Sequence, residues 1–538
     1  MEQNNRNLQG ELVARGFSTD LAAEFLLPDY QPEIKRLLRV RAIPLPVDQY
    51  VGGSAAELSG AVEFQALYAA EDSSLWCVTK REDYRLSCPF EAGDFDLSEG
   101  LVCDVKTEIG DVSGRVLAPR KLTARCRVRT AVRLLADRPV PGAEIAGDET
   151  VERLTDTLSC SRVLLGKSAP LTLTDEIPLD SSAPARVIFA SAEVFPTEVK
   201  AGPDTVACQG EVCLVLLCAP ERPPEGVSEG VPEGVSEGAP EEPPALDGAA
   251  DCRPAALSVF ELRRKIPFAV EIPVDGATDA CIATAWGSCP ELTVTVEETR
   301  VLCDVTLVMN ARAVCSEEVV FTRGAYSTAA LTEPVFCELP ATKRPPAKNG
   351  NRSLSAAKEL SEVGLRPGAR VIASAADVST LPPETSRGAY LLPGTLRVSV
   401  LAAMPDGDFA TAEFDLSFRF EVPADEPLAP AASDSVFTPV SVKATVDGGR
   451  LLVEAELAAA PALSVAENVP ALAALRTGER LAPRAADLTI CYPAPGETLW
   501  SVAARYHAPL LPLAEQNGLA AENAASPDSL GGVRYLTV

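Results

Sequence analysis

Arg300 to Asn310 reads RVLCDVTLVMN. Val301, Cys303, Val305, Leu307 and Met309 fall on one side of an extended chain, and Asp304, Thr306 and Asn310 fall on the other. A period of two with one apolar face is the mark of a half-buried β-strand, since successive side chains of a strand point to opposite faces. The same kind of stretch occurs at Arg120 (RKLTARCRV) and at Arg450 (RLLVEAEL), with Leu122, Leu302 and Leu452 each two residues after the arginine. Working back from these arginines by 30, 32 and 30 residues reaches Phe90, Phe268 and Phe420. Further back stand three glycines that open alternating strands: Gly60 (GAVEFQALY), Gly210 (GEVCLVLL) and Gly394 (GTLRVSVL). Arg186 (RVIFASAEV) and Arg370 (RVIASAADV) each lie 24 residues before their glycine. A recurrent order of this kind predicts three related units of antiparallel sheet, of sandwich or barrel type.

The organisation read from this frame has six parts. Residues 1–40 form an N-terminal lead-in, helical over Leu12 to Leu27, where Leu12, Val13, Phe17, Leu21, Ala22, Phe25 and Leu26 follow helical spacing. The β-units occupy 41–140, 165–325 and 360–460. The second holds an acidic Pro/Gly/Ser/Glu insert at 220–254 that cannot bury apolar area and reads as disordered. Pro340 to Arg352 reads as a solvated linker with a thin basic patch of Lys343, Arg344, Lys348 and Arg352. Residues 461–487 read as a second linker, with a short helix near Ala471 to Arg480, and 488–538 as a separate small module.

In that last module Leu488 to Cys491 reads as a strand, and Pro495-Gly496 as a turn. Thr498 reads as the N-cap of a helix beginning at Leu499, with Trp500, Val502, Ala503 and Tyr506 at helical spacing. Pro509 ends it. A second helix, Leu511 to Gln516, stops at Asn517-Gly518, and Val533 to Val538 returns as a strand. The predicted order is β-α-α-β.

Composition narrows the chemistry. The 48 Lys and Arg stand against 76 Asp and Glu, a net charge of −28, which opposes nucleic acid and anionic lipid as partners. No run of ~18 apolar residues occurs, so no membrane-spanning helix is expected. Met1 to Gly10 is polar and reads as no export signal. The 15 cysteines show no CxxC pair and lie in apolar strand patterns, so buried, reduced thiols are expected, with no metal site. His507 is the only histidine, which removes Ser-His-Asp, Cys-His and His-ligated metal chemistry. GxSxG occurs at Gly226 to Gly230 and Gly234 to Gly238, but Ser228 and Ser236 stand in the acidic insert rather than on a strand-to-helix turn. Gly166-Lys167-Ser168 has Ser161 where a phosphate-binding loop needs its first glycine. The acidic pairs Glu297-Glu298 and Glu317-Glu318 read as solvated strand edges. The expectation is a non-enzymatic chain with no cofactor.

LPDYQPEIKRLLRV (Leu27 to Val40) and the unit of glycine-led strand, Phe-centred segment and Arg-led strand resemble the SPOCS (DUF3794) repeat of spore-coat proteins. TICYPAPGETLWSVAARYHAPLLPLAEQNGL resembles a LysM module. Together they resemble clostridial spore-coat morphogenetic proteins over almost the whole chain. The resemblance implies a scaffold in the mother-cell cytoplasm at the forespore surface, docking through its LysM end to a coat-basement ATPase of the SpoIVA type. The alternative it leaves open is a cell-wall protein that binds peptidoglycan or a chitin-like glycan. In LysM modules the binding groove lies between the loop before the first helix and the loop after the second. That implies Gly496, Glu497, Thr498, Leu499 and Trp500 on one side, and Asn517, Gly518, Leu519 and Ala520 on the other. Glu497 stands where an Asp is usual, and the second loop, GLAAENAASPDSLGG, is longer than usual.

Overall fold

A computed structural model describes residues 7–98, 101–141, 150–179, 185–220, 259–297, 299–345, 347–424, 429–482, 488–530 and 532–538. The described residues are mainly antiparallel β, with two short α-helices near the C-terminus and, among them, no closed barrel. The acidic stretch from 221 to 254, including Ser228 and Ser236, falls outside the described residues.

The first unit contains β1 (Asn7–Leu26), β2 (Ile34–Pro44), β3 (Asp48–Val51), β4 (Ala55–Ala70), β5 (Leu75–Pro89), β6 (Val102–Ala118) and β7 (Lys121–Pro139). The second contains β8 (Val151–Leu165), β9 (Ala169–Pro178), β10 (Ala185–Gly202), β11 (Thr205–Pro220), β12 (Phe260–Pro273), β13 (Ile282–Val296) and β14 (Arg300–Ser327). The third runs from β15 (Ala330–Lys343), β16 (Gly350–Glu359), β17 (Arg370–Thr380), β18 (Glu384–Ser386) and β19 (Ala389–Ala403) through β20 (Phe409–Pro423), β21 (Ala431–Ser433), β22 (Val436–Asp447) and β23 (Arg450–Ala460) to β24 (Leu463–Arg480). β25 (Ile490–Cys491), α1 (Leu499–Tyr506), α2 (Leu510–Gln516) and β26 (Leu536–Thr537) complete the chain.

One pairing order occurs in all three units. In each unit a late strand lies between an early strand and the strand before it: β1-β7-β6, β9-β14-β13 and β16-β23-β22, with β8 also paired to β14, and β15 to β24. The intervening strands form a second sheet: β2-β4-β5, β10-β11-β12 and β17-β19-β20. The two sheets of each unit enclose an aliphatic core. In the second unit Val301, Cys303, Val305, Leu307 and Met309 are all fully buried, facing Val212, Leu214 and Leu216 of β11.

The glycine anchors have a steric cause. Gly60, Gly210 and Gly394 lie opposite Tyr84, Phe268 and Phe418 in the register. A Cβ on these glycines would sit 2.4, 2.7 and 2.3 Å from the ring Cζ opposite. Only glycine lets the ring lie across its own strand. The rings opposite the first and third glycines are thus Tyr84 and Phe418, six and two residues before the spacing anchors Phe90 and Phe420.

Several expectations are corrected. Leu12 to Leu27 is strand, not helix. Leu21, Ala23, Phe25 and Leu27 face the core at a period of two, while Leu26 is 78% exposed. It was outward-facing apolar residues such as Leu26 that imitated helical spacing. Ala471 to Arg480 lies within β24, held by β15 along its length, and is likewise no helix. Pro340 to Arg352 is not a linker: Lys343 closes β15, Arg352 lies in β16, and the Arg344 side chain is buried. The cysteines are not uniformly reduced. Ile282 pairs with Val314, so Cys281 and Cys315 meet as the next cross-strand pair and form a disulfide. Among the described residues Cys303, Cys208, Cys218 and nine other cysteines are free. No helix among the described residues is long and apolar enough to cross a membrane.

The second sheets of the three units converge. β2, β10 and β17 each carry a register shift, at Leu37/Arg39, Val187/Phe189 and Val371/Ala373. The bulged residues Leu38, Ile188 and Ile372 enter a shared cluster with Leu67, Leu217 and Leu401 and with Ala69, Ala219 and Ala403. The sheet register puts each of these trios at one equivalent position in the three units. Arginines then link the units in a closed cycle. Arg186 donates to the Leu75 carbonyl (2.9 Å), Arg370 to the Val259 carbonyl (3.2 Å), and Arg36 to the Asp408 carboxylate (3.3 Å). Second reaches first, third reaches second, and first reaches third.

Candidate functional site

The C-terminal module is built around Leu499, Val502, Ala503, Leu513, Ala514 and Leu536, all buried. Thr498 caps α1: its hydroxyl accepts from the Ser501 amide (3.2 Å), and the Ser501 hydroxyl lies 2.9 Å from the Thr498 amide, which donates to it. This reciprocal pair satisfies amides that the helix start leaves open. Glu497 accepts from the Ala494 amide (2.7 Å) and pairs with Arg505 at 2.5 Å. Gly496 and Gly518 have φ of 85° and 66°, the left-handed region that favours glycine. Asn517 ties α2 to β26. Its amide nitrogen donates to the Leu513 and Thr537 carbonyls, and its oxygen accepts from the Thr537 amide, each at 2.8 Å.

These partners sort the nine candidate groove residues. Thr498, Leu499 and Asn517 spend their side chains on the module's own fold. Gly496, Gly518 and Ala520 are exposed, Leu519 is half-buried against the module core, and Glu497 is held in its local pair. Trp500 is not on an open rim. Its ring meets Tyr326 of β14 edge-on, with centroids 5.0 Å apart, and Gly324 lies beneath the indole.

The module therefore docks on the second unit. The Tyr326 hydroxyl donates to the Ala508 carbonyl (2.8 Å), and the Glu152 carboxylate accepts from the Leu510 amide (3.1 Å). His507, the one histidine, closes α1 in a left-handed conformation, with Nδ1 2.8 Å from the Ser327 carbonyl. Burial, and after it the Glu152 charge, pushes the Tyr326 phenol well above its ordinary range, so it stays a donor. Sequence reading missed this contact because its members lie 180 residues and more apart.

On its outer side the module presents Tyr492 and Tyr535, 73% and 54% exposed, with ring centroids 6.5 Å apart. Leu488, Ile490 and Leu511 are also exposed. The pairing of Ile490 with Thr537 and Cys491 with Leu536 brings the two tyrosines together just beyond the ribbon.

Gly166, Lys167 and Ser168 form the turn between β8 and β9. Lys167 pairs with Asp275 at 3.2 Å and Ser168 donates to Asn310 (2.7 Å), with a strand following rather than a helix. Glu317 pairs with Arg162. Among the described residues no group of three or more His, Cys, Asp or Glu side chains is placed to hold a metal ion.

A buried charged junction joins all three units. Asp104 of β6 meets Arg312 of β14 at 2.6 Å and Arg133 of β7 at 2.7 Å. Asp434 of the third unit meets Arg133 at 2.5 Å, Arg312 at 3.4 Å and Arg344 at 3.6 Å. Burial raises the Asp104 carboxyl, but Arg312 and Arg133 outweigh it and hold it below the ordinary aspartate range. Arg344, desolvated and beside two other arginines, is pushed down to about 10 despite Asp434. Searches of protein-family models, curated proteins and solved structures return no match to this chain.

Proposed function

We propose that the chain is a non-enzymatic scaffold of the spore-coat class, built of SPOCS-like repeats and ending in a LysM-like module that docks a coat-basement protein of the SpoIVA type. The observation that carries the reading is the closed cycle of three units with one strand order, with a β-α-α-β module held at the end of β14 by Tyr326. A cycle of sandwiches cross-linked by arginines is a rigid frame, which suits holding a partner in place. His507, Lys167 and Glu317, which the sequence reading set aside as chemical groups, have structural partners: His507 closes a helix, Lys167 a turn, and Glu317 an ion pair. The exposed Tyr492–Tyr535 pair offers the large aromatic area that anchors protein interfaces.

Binding of a purified SpoIVA-type ATPase to the full chain, followed by interferometry, tests this. The Tyr492→Ser, Tyr535→Ser double variant is expected to weaken it by tenfold or more while the thermal midpoint holds. Unchanged affinity, or no binding by the native chain, removes the proposal.

The same tyrosines favour a second reading, a peptidoglycan or chitin-like ligand, because exposed rings also stack on sugar faces. Saturable binding of chitohexaose, weakened by Ala520→Arg at the exposed end of the second loop, supports that reading; no binding removes it.

A further inference from the structure

Alongside the apolar cluster where the three units converge lies a cavity of about 580 Å³, walled by strands of all three units, in the size range of small-molecule sites. The apolar cluster is nearly the same from unit to unit; the polar layer is not. On β4 the residues facing the convergence are Ala69 and Leu67, then Gln65 and Glu63. The register places Val215 and Cys213 of β11, and Ser399 and Arg397 of β19, at the positions of Gln65 and Glu63. Packing of the units explains repeated leucines and alanines. It does not explain an acid and an amide placed in one unit only.

Their hydrogen bonding is incomplete. Gln65 is 7% exposed; its Nε2 donates to Glu63 Oε1 at 2.7 Å, and its Oε1 has no partner. Turning the amide over would set its oxygen against the carboxylate, so the unpartnered acceptor is forced by Glu63. Glu63 has no ion pair among the described residues. The arginines nearby are taken: Arg41 by Glu193 (2.6 Å) and Asp377 (3.4 Å), and Arg39 by Asp377 (3.4 Å). An anion would find no free cation here, whereas a donor cation would find the Glu63 carboxylate, with the enclosed, unpartnered Gln65 Oε1 beside it.

Burial and then the Glu63 charge push the Cys77 thiol up to about 12; burial dominates at Cys289 too, with Glu63 adding to it, so both thiols stay neutral beside the carboxylate. A bare inorganic cation would leave most of this volume unused, and Trp286, Val194 and Leu292 supply apolar wall.

The geometry points to a binding site for a small organic amine, whose ammonium donates to Glu63 and to Gln65 Oε1 while its apolar body fills the cavity.

Spermidine and tyramine serve as probes, titrated calorimetrically into the full chain at 0.15 M and 0.5 M salt. The chain's net charge of −28 attracts polycations diffusely, so stoichiometry and salt matter. One saturable site per chain is expected for at least one probe, persisting at high salt. Glu63→Gln and Gln65→Leu are each expected to weaken it tenfold or more, and Glu333→Gln on the exposed face of β15 to leave it unchanged. The probe should also raise the thermal midpoint of the native chain and not that of Glu63→Gln. No saturable binding, or equal weakening by Glu333→Gln, overturns the assignment.

Discussion

Leu67, Leu217 and Leu401 meet as three copies of one position, whereas at the charged junction two aspartates, Asp104 and Asp434, meet three arginines, Arg133, Arg312 and Arg344. Both sets join all three units, and they do different work. Apolar burial is non-directional, so the leucine cluster favours compaction without specifying which unit sits beside which. Buried charges are costly to desolvate and acceptable only when paired, so the second junction tolerates one arrangement of the units and penalises the rest. Three units with one pairing order on one chain have alternative ways to pack, and the asymmetric junction discriminates among them.

The comparison breaks most readily at its apolar side. Phe409 is fully buried in the convergent cluster. Phe409→Ala is expected to cost ~3–5 kcal/mol, read as a lowered urea midpoint, because the surrounding units can collapse only partly into the space. A cost under ~1 kcal/mol would mean the units do not pack as described.

The charged side comes next. Asp434→Ala leaves three arginines facing Asp104 alone and is expected to cost ~3–5 kcal/mol by equilibrium unfolding. Replacing the five charges together by apolar residues of similar volume should cost much less, while allowing alternative packings visible as broadened spectra. The junction also sets an acid limit. The Asp104 pKa is lowered on folding, so its contribution is full above the unfolded value of about 3.9 and fades as pH falls through the lowered folded value. In Asp104→Asn that part of the acid transition should disappear; an unchanged pH profile would contradict the pairing.

A third test concerns the module and its seat. Tyr326→Ala removes the ring contact to Trp500 and the hydrogen bond to Ala508, together about 1–3 kcal/mol. Faster hydrogen exchange in α1 and α2, with the β-units unaffected, is expected. Tyr326→Phe should show only the smaller part.

Strand interiors were legible because burial imposes a period of two, as at Val301 to Met309. The glycine positions were legible as well, but not their ring partners, which register rather than spacing decides. Residues 12–27 and 471–480 show apolar side chains at i, i+3 and i+4 as a helix does: in β1 outward-facing Leu26 completes the spacing, and in β24 a register shift leaves the neighbours Ala471 and Leu472 both buried. The module's cap, turns and helix order were readable because these are local hydrogen-bond signals. Its seat was not, and neither was the charged junction. Asp104 and Arg312 are 208 residues apart, and Arg133 and Asp434 301 apart, on strands whose own patterns look ordinary. Nothing local distinguishes an arginine that will be buried by another unit from one left in water.

The smallest effects test the cycle itself. Arg36, Arg186 and Arg370 occupy one position in the register, two residues before the bulge, yet their surroundings differ. The Arg36 side chain is 47% exposed and bonds a partly exposed carboxylate, so Arg36→Ala should cost under ~1 kcal/mol and less at high salt. Arg186 lies 3.9 Å over the Trp76 ring while donating to a backbone carbonyl. A stacked guanidinium that also donates sums two contributions, so Arg186→Ala should cost about 1–2 kcal/mol with little salt dependence. Lysine lacks the planar face, and Arg186→Lys should recover less than half of that loss, whereas Arg36→Lys should recover nearly all of its own. Equal costs at the two positions, with equal rescue by lysine, would mean that these arginines act only as surface charges and that the cycle is closed by the apolar cluster alone.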